Sequence, residues 1–326
     1  MKNVFTFLLL LFSLLCNGQS PKLFTTDKEL SSSLINQIYQ DRNGFIWIAT
    51  EDGLNRYDGA KFTIYKHEPN NEHSLAHNFV RTVFEDSKGH LLIGTYIGIQ
   101  MYDPATDNFT PLAKLEDTGE TLESNINSFI ERKNGEIWVS GNVLCKLDIK
   151  DHLLTVRKVD IAVTSPGSLF EDKKQNVWMA KGEEGVYQLT PDNQLTLHLS
   201  KDNGYVKSIC EDQRGNIYVG SIRKGLFIYD KERKTFVPVD LKEKGELPVC
   251  FLYSGPQNEL YIGTDGKGMS VYNNQTHEIS EYNFDNNYFD SKNSKIHSKT
   301  IPVTYGWLFI RKESCRYLPE QTVSSI

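Results

Sequence analysis

One short pattern recurs along this chain, and few folds can hold it. The first copy reads Ile35-x-x-Ile38-x-x-Asp41-Arg42-Asn43-Gly44-Phe45-Ile46-Trp47-Ile48-Ala49-Thr50, followed by Gly53-Leu54 and Tyr57-Asp58. The second holds Val80, Val83, Asp86, Gly89, Leu91-Leu92-Ile93-Gly94-Thr95, Gly98-Ile99 and Tyr102-Asp103. Four further copies centre on Ile137-Trp138-Val139-Ser140 after Gly135, Val177-Trp178-Met179-Ala180 after Asp172, Ile217-Tyr218-Val219-Gly220 after Asp212 and Gly215, and Leu260-Tyr261-Ile262-Gly263. The anchors Trp47, Leu92, Trp138, Trp178, Tyr218 and Tyr261 stand 45, 46, 40, 40 and 43 residues apart. That period matches one four-stranded propeller blade. The expected fold is therefore all-β: a β-propeller spanning residues 19–290, with six recognisable blades and an incomplete seventh. The blades fall at about 33–67, 78–112, 124–156, 166–198, 204–239 and 247–282. A sandwich shares the alternation of apolar and polar residues but rarely repeats one motif six times.

The chemistry of one unit accounts for its residues. Ile35 to Ile38 opens a strand. Asp41 to Gly44 is a hairpin turn, with Asp accepting from turn amides and Gly44, like Gly89, Gly135 and Gly215, accepting positive φ. Phe45 to Ala49 is the second strand, and its small last residue suits the close approach of a neighbouring backbone. Gly53 turns the chain into the third strand, and Phe62 to Tyr65 forms the outer one.

The N-terminus reads as a targeting segment. Lys2 is followed by a nearly unbroken apolar run from Val4 to Leu15, then by Cys16-Asn17-Gly18, which predicts a signal peptide over residues 1–18. The run is short for a membrane span. Bulky Leu15 disfavours lipid attachment at Cys16. The mature chain is expected to be exported, periplasmic or extracellular. With 36 Lys and Arg against 42 Asp and Glu, it has a net charge of -6. No basic run offers a nucleic-acid surface. Cys145, Cys210, Cys250 and Cys315 match no zinc or redox spacing and read as buried thiols, although an exported protein can form disulfides.

The motif Ile46-Trp47-Ile48-Ala49-Thr50, Gly53-Leu54, Tyr57-Asp58, together with the linker from Tyr65 to Leu75, resembles the two-component regulator propeller repeat. The resemblance runs from about Leu23 to Tyr282. It implies the sensor region of a Bacteroidetes-type hybrid two-component regulator, whose propellers detect glycans or glycan fragments. The parent protein it implies is membrane-anchored and dimeric. Kinase, receiver and DNA-binding motifs do not occur in this sequence. The alternative is a stand-alone secreted propeller that binds a polysaccharide or a protein, and a propeller enzyme ranks third because paired carboxylates are lacking.

Residues 291–326 depart from the repeat. Lys295 to Ser298 resembles a blade entry, but Lys299 to Ile326 carries neither the Gly-Leu nor the Tyr-Asp pair. Permissible codons for Tyr305 to Arg316, read one nucleotide out of frame, restore the pattern with Trp in place. A frameshift within blade seven is one reading, and an atypical terminal cap is the other. Leu23 to Thr25 is expected to be the outer strand that closes the last blade, and a missing seventh blade would leave the ring open.

No catalytic centre, metal site or cofactor is expected. Asp41, Asp86, Asp172 and Asp212 read as turn caps and the anchors as inter-blade core. His67, His73 and His77 lie in a polar linker without ligand partners. Ligands of propellers bind near the axial channel, and the loops after each second strand supply the candidates Tyr96, Lys181, Arg223, Lys224 and Lys267. Arg223, Lys224 and Lys267 could pair with an acidic sugar.

Overall fold

A computed structural model describes residues 22–26, 29–199, 204–241, 247–255, 257–265 and 267–281, and the backbone alone of strands 301–303, 306–311 and 314–319. The expected signal peptide, with Cys16, lies outside the described residues. Strands are named a to d from the axis outward. Blade 1 is built from Ile35–Gln40, Ile46–Thr50, Gly53–Tyr57 and Phe62–Tyr65, paired in that order as an antiparallel sheet. Blades 2, 4, 5 and 6 repeat this arrangement, with their a strands at Val80–Glu85, Leu169–Glu171, Val206–Glu211 and Val249–Ser254. Blade 3, whose a strand is Ser128–Glu131, gains a fifth strand. There the linker segment Lys114–Leu115 pairs in parallel with Leu153–Lys158 and covers the blade's outer edge.

The seventh sheet joins the two ends of the chain. Ile301–Val303, Gly306–Arg311 and Ser314–Pro319 supply three strands, and Lys22–Thr25 pairs antiparallel with the third of them as strand d. Ile301–Val303 lies beside Ile35–Gln40 of blade 1, so the first and last sheets meet. The segment set apart in the sequence thus pairs as strands, and Trp307 occupies the second position of its strand, as Trp47 does in blade 1. Trp307 stands 46 residues after Tyr261, within the spacing of the other anchors. From the closing strand, Phe24 is buried among Leu30, Ile35, Ile38 and Ile46 of blade 1, with its ring 5.0 Å from Tyr57 and 4.9 Å from Phe62.

The core consists of the spaces between blades. Trp47, Ala49 and Leu54 of blade 1 pack with Val80, Val83, Leu91, Ile93 and Phe109 of blade 2. Trp138 packs likewise on blade 4, and Trp178 on blade 5. Trp47, Leu92, Trp138, Trp178 and Tyr218 are buried, whereas Tyr261 is half-buried with its hydroxyl 3.3 Å from Glu259. The small residue that ends strand b is sterically required. A Cβ on Gly94 would lie 2.6 Å from Ile126 Cγ2, and one on Gly220 would lie 2.5 Å from Val249 Cγ1, each on the next blade.

The turn carboxylates cap as expected, and Asp41 and Asp172 also accept from the anchor indole of their blade. Asp41 Oδ1 accepts the Asn43 and Phe45 amides at 2.9 and 3.0 Å, while Oδ2 accepts the Trp47 indole at 2.8 Å. Cys145 and Cys210 are buried free thiols and Cys250 is a half-buried one. Burial pushes the Cys145 thiol up to about 11 and raises that of Cys210.

Candidate functional site

The residues that reach the axis are set there by a recurring irregularity. In blade 1, Ile35 faces Thr50 but Gln37 faces Ala49, so Asn36 is an extra residue in strand a. The same one-residue slip frees Arg81 in blade 2, Lys207 in blade 5 and Cys250 in blade 6. A bulge leaves its extra residue unpaired and re-aims the side chain. These four residues, with Asn127 at the corresponding position of blade 3 and Ser168 just before strand a of blade 4, line an axial cavity of about 780 Å³.

Most of these polar groups also stitch one blade to the next. Asn36 Nδ2 donates to the Val80 carbonyl at 2.8 Å, Asn127 Nδ2 to the Pro166 carbonyl at 3.1 Å, and Ser168 Oγ to the Lys207 carbonyl at 2.9 Å. Arg81 also reaches the next blade, but among the described residues only through one of its nitrogens. Arg81 donates through Nε to Asn125 Oδ1 at 2.8 Å and lies over the Phe79 ring at 5.4 Å. Lys207 is exposed, and neither it nor Arg81 is paired with a carboxylate among the described residues.

Apolar side chains lie at three of the strand a entries, and one of them, Tyr205, lines the cavity. The residue that leads into strand a is Leu34, Phe79 or Tyr205 in blades 1, 2 and 5. Each of these residues accepts, through its carbonyl, a backbone amide from the b–c loop of its own blade: Glu51, Tyr96 or Ile222, at 2.9 to 3.0 Å. That bond places the b–c loops around the axis. Leu34, Tyr96 and Tyr205 are 47, 53 and 42% exposed. Tyr96 stacks obliquely near His77 and Phe79, with ring centres 5.6 and 6.0 Å away, and burial lowers the His77 pKa. Tyr205 lies against Gly182 of blade 4, where a Cβ would come within 3.0 Å of its ring. The Gly182 carbonyl in turn accepts the Val206 amide at 2.8 Å.

At the opposite end of strand a, charge is already committed. Glu85, Glu131, Glu171 and Glu211 each accept the turn amide of the preceding blade, from Arg42, Ser87, Lys133 and Lys173, at 2.7 to 3.0 Å. Arg42 and Arg132 add ion pairs to Glu85 and Glu171.

None of the loop candidates read from the sequence is among the described residues that line the cavity, and Tyr96 lies beside His77 and Phe79. Lys181 is paired with Glu184 at 2.7 Å and donates to Thr164, and Arg223 is paired with Glu183 at 2.9 Å. Lys224 and Lys267 are exposed, and their backbone amides close b–c turns on Ser221 and Thr264. The linker histidines act as tethers: His67 Nδ1 lies 2.9 Å from the Leu75 carbonyl and His73 Nδ1 3.2 Å from that of Phe109. No cluster of metal-ligating side chains occurs among the described residues. The sequence reading missed Asn36, Arg81, Asn127, Ser168, Tyr205 and Lys207. The signal for Asn36, Arg81, Asn127 and Lys207 was the variable position after the first apolar residue of the repeat, which a single-chain reading treats as spacer.

Comparison with known proteins agrees with the repeat. The profile of the family described as two component regulator propeller matches residues 29–52, 74–96 and 200–223. Histidine kinase P4 of Formosa agariphila is 37% identical over 83 residues, which cover 23% of this chain and 6% of that protein. The extracellular domain assigned to the hybrid two component system BT3049 of B. thetaiotaomicron superposes with a TM-score of 0.74 at 18% identity, covering 92% of this chain and 42% of that one. The chain therefore spans less than half of these relatives. Virginiamycin B lyase from Staphylococcus aureus shares the fold with a TM-score of 0.67 at 11% identity, covering 92% of this chain and 99% of the lyase.

Proposed function

For a chain built from two-component regulator propeller repeats, we propose the role of an exported ligand-binding propeller in a two-component sensor, with a glycan as its ligand. The observation that carries this reading is the mouth of the axial cavity. Exposed Tyr205 lines the cavity beside amides and hydroxyls, and exposed Leu34 and Tyr96 lie at the strand a entries of blades 1 and 2. A sugar ring presents an apolar C–H face and a rim of hydroxyls. Flat aromatic faces suit the first, and Asn36, Asn127, Ser165 and Ser208 suit the second. The match to a histidine kinase supports a signalling context, and the likeness to an extracellular sensor domain supports export.

Binding without turnover is part of the proposal. Carboxylates and imidazoles are missing from the described lining of the cavity, so the paired carboxylates that glycoside hydrolysis uses are not among its side chains. The test is isothermal titration of the whole chain against oligosaccharides of defined length, with product analysis on the same samples. Binding with no turnover, weakened about tenfold by Tyr96→Ala or Tyr205→Ala, is the expected result. Turnover would instead favour a lyase-like enzyme, and a Tyr96→Ala, Tyr205→Ala double variant that binds as well as the parent would remove the mouth from consideration.

A further inference from the structure

The two cations at the axis narrow the ligand class. We infer that the cavity selects an anionic saccharide, one bearing a carboxylate or sulfate substituent, and that Arg81 and Lys207 hold that oxyanion. The inference rests on the glycan reading given above and names the chemistry of the same site.

Three observations converge. First, both side chains are bulge residues, turned out of the strand pairing toward the axis, from blades 2 and 5 on different sides of the ring. Asn36 and Asn127, at the same position in blades 1 and 3, give their side-chain amides to backbone carbonyls of the next blade. Arg81 gives only its Nε to the next blade, at Asn125, and Lys207 gives it no side-chain donor among the described residues.

Second, Arg81 is oriented with its binding edge left open. Its Nε is spent on Asn125 and its face on Phe79, which fixes the guanidinium plane. The terminal Nη groups donate to nothing among the described residues, and two parallel N–H groups fit a carboxylate or sulfate edge. Lys207 adds a mobile point charge that tolerates several ligand geometries.

Third, no anion competes. The described lining contains no Asp or Glu, although the chain as a whole carries a net charge of -6. The carboxylates on these same strands sit at the far end and are bound to neighbouring turns. Two unpaired cations in a concave site of a net-acidic protein raise the local concentration of anions.

Whole-chain titration with three tetrasaccharides of matched length tests this: a galacturonan, a sulfated galactan and a neutral galactan. One charged arm should bind at least about tenfold more tightly than the neutral arm, the size of one charge-assisted hydrogen bond. Which charged arm binds identifies the substituent. Arg81→Gln and Lys207→Gln should each remove about tenfold of that affinity, and Lys207→Gln should leave the thermal melt of the free protein in place. Equal affinity for neutral and charged arms, or wild-type affinity in both variants, would overturn the inference while leaving glycan binding intact. If no tetrasaccharide binds, the glycan reading fails, and thermal shift with glucuronate and inorganic sulfate at matched ionic strength then decides the oxyanion site. Stabilisation that disappears in Arg81→Gln upholds it, and no stabilisation ends it.

Discussion

Blades 3 and 4 place the same indole in the same position and hold it in opposite ways. In blade 4, Asp172 is buried and its carboxylate has four donors. Oδ1 accepts the Lys174 and Asn176 amides at 2.9 Å, and Oδ2 accepts Asn176 Nδ2 and Trp178 Nε1 at 2.8 Å. Blade 3 has Arg132 where that Asp would stand. There Trp138 Nε1 donates to Glu136 at 3.0 Å, Glu136 pairs with Lys146 at 2.6 Å, and the Arg132 guanidinium lies 4.5 Å over the indole. One blade uses a desolvated carboxylate fixed by neutral donors, and the other a half-exposed group of charges. The repeat preserves where the ring sits rather than what holds it.

The two arrangements should fail by different amounts. Asp172→Ala leaves two amides, one carboxamide and one indole without an acceptor in a buried space. Each hydrogen bond to a charged acceptor contributes about 1.5 to 3 kcal/mol, and losses in one network are not additive. An overall loss of about 3 kcal/mol or more is expected in urea unfolding, the largest effect here. A loss below about 1 kcal/mol would show that the buried cap is not what secures the indole.

Phe24→Ala probes the ring seam by a third route, with packing alone. Phe24 is 3% exposed and touches two aromatic rings of blade 1. Removing it should cost about 3 kcal/mol. Proteolysis near residue 22 should accelerate in parallel if the closing strand opens with the loss. Unchanged stability and cleavage would mean that the seam is held without it.

Glu136→Gln sits at the other extreme. Its charged partners are Lys146 and Arg132, its side chain is 34% exposed, and solvent screens the pair with Lys146. The expected loss is about 0.5 kcal/mol. An effect as large as that of Asp172→Ala would erase the contrast between the blades.

This contrast also explains what could be read in advance. The blade count followed from anchor spacing because every inter-blade space needs one bulky side chain, and burial leaves little freedom there. The turn function of Asp41, Asp86, Asp172 and Asp212 was legible because a turn of that length demands an acceptor. Glu136 was not, since it lies outside the pattern and acts only after Arg132 has replaced the Asp. The channel residues were hidden for a further reason. Arg81 and Lys207 reach the axis through a register slip, and a slip depends on pairing between strands rather than on local sequence. The tail was set apart because it lacks the Gly-Leu and Tyr-Asp pairs, yet strand pairing needs only backbone amides and carbonyls with a compatible length.

The smallest expected effect concerns acid. The hydrogen bond and charge of Lys146, with the Trp138 indole, hold the Glu136 carboxyl down at about 2, against an ordinary value of 4.5. A carboxylate whose pKa is depressed on folding stabilises the fold above its unfolded pKa, and that contribution fades as pH falls through the folded value. The stability difference between the parent and Glu136→Gln should therefore be full at neutral pH and close between about 4.5 and about 2. Screening at this partly exposed site keeps the change small, so it is best read as a difference between two melting curves recorded at each pH. A difference that stayed constant across that window would mean that Glu136 acts through shape and hydrogen bonding alone. Blade 3 would then resemble blade 4 more than its charges suggest.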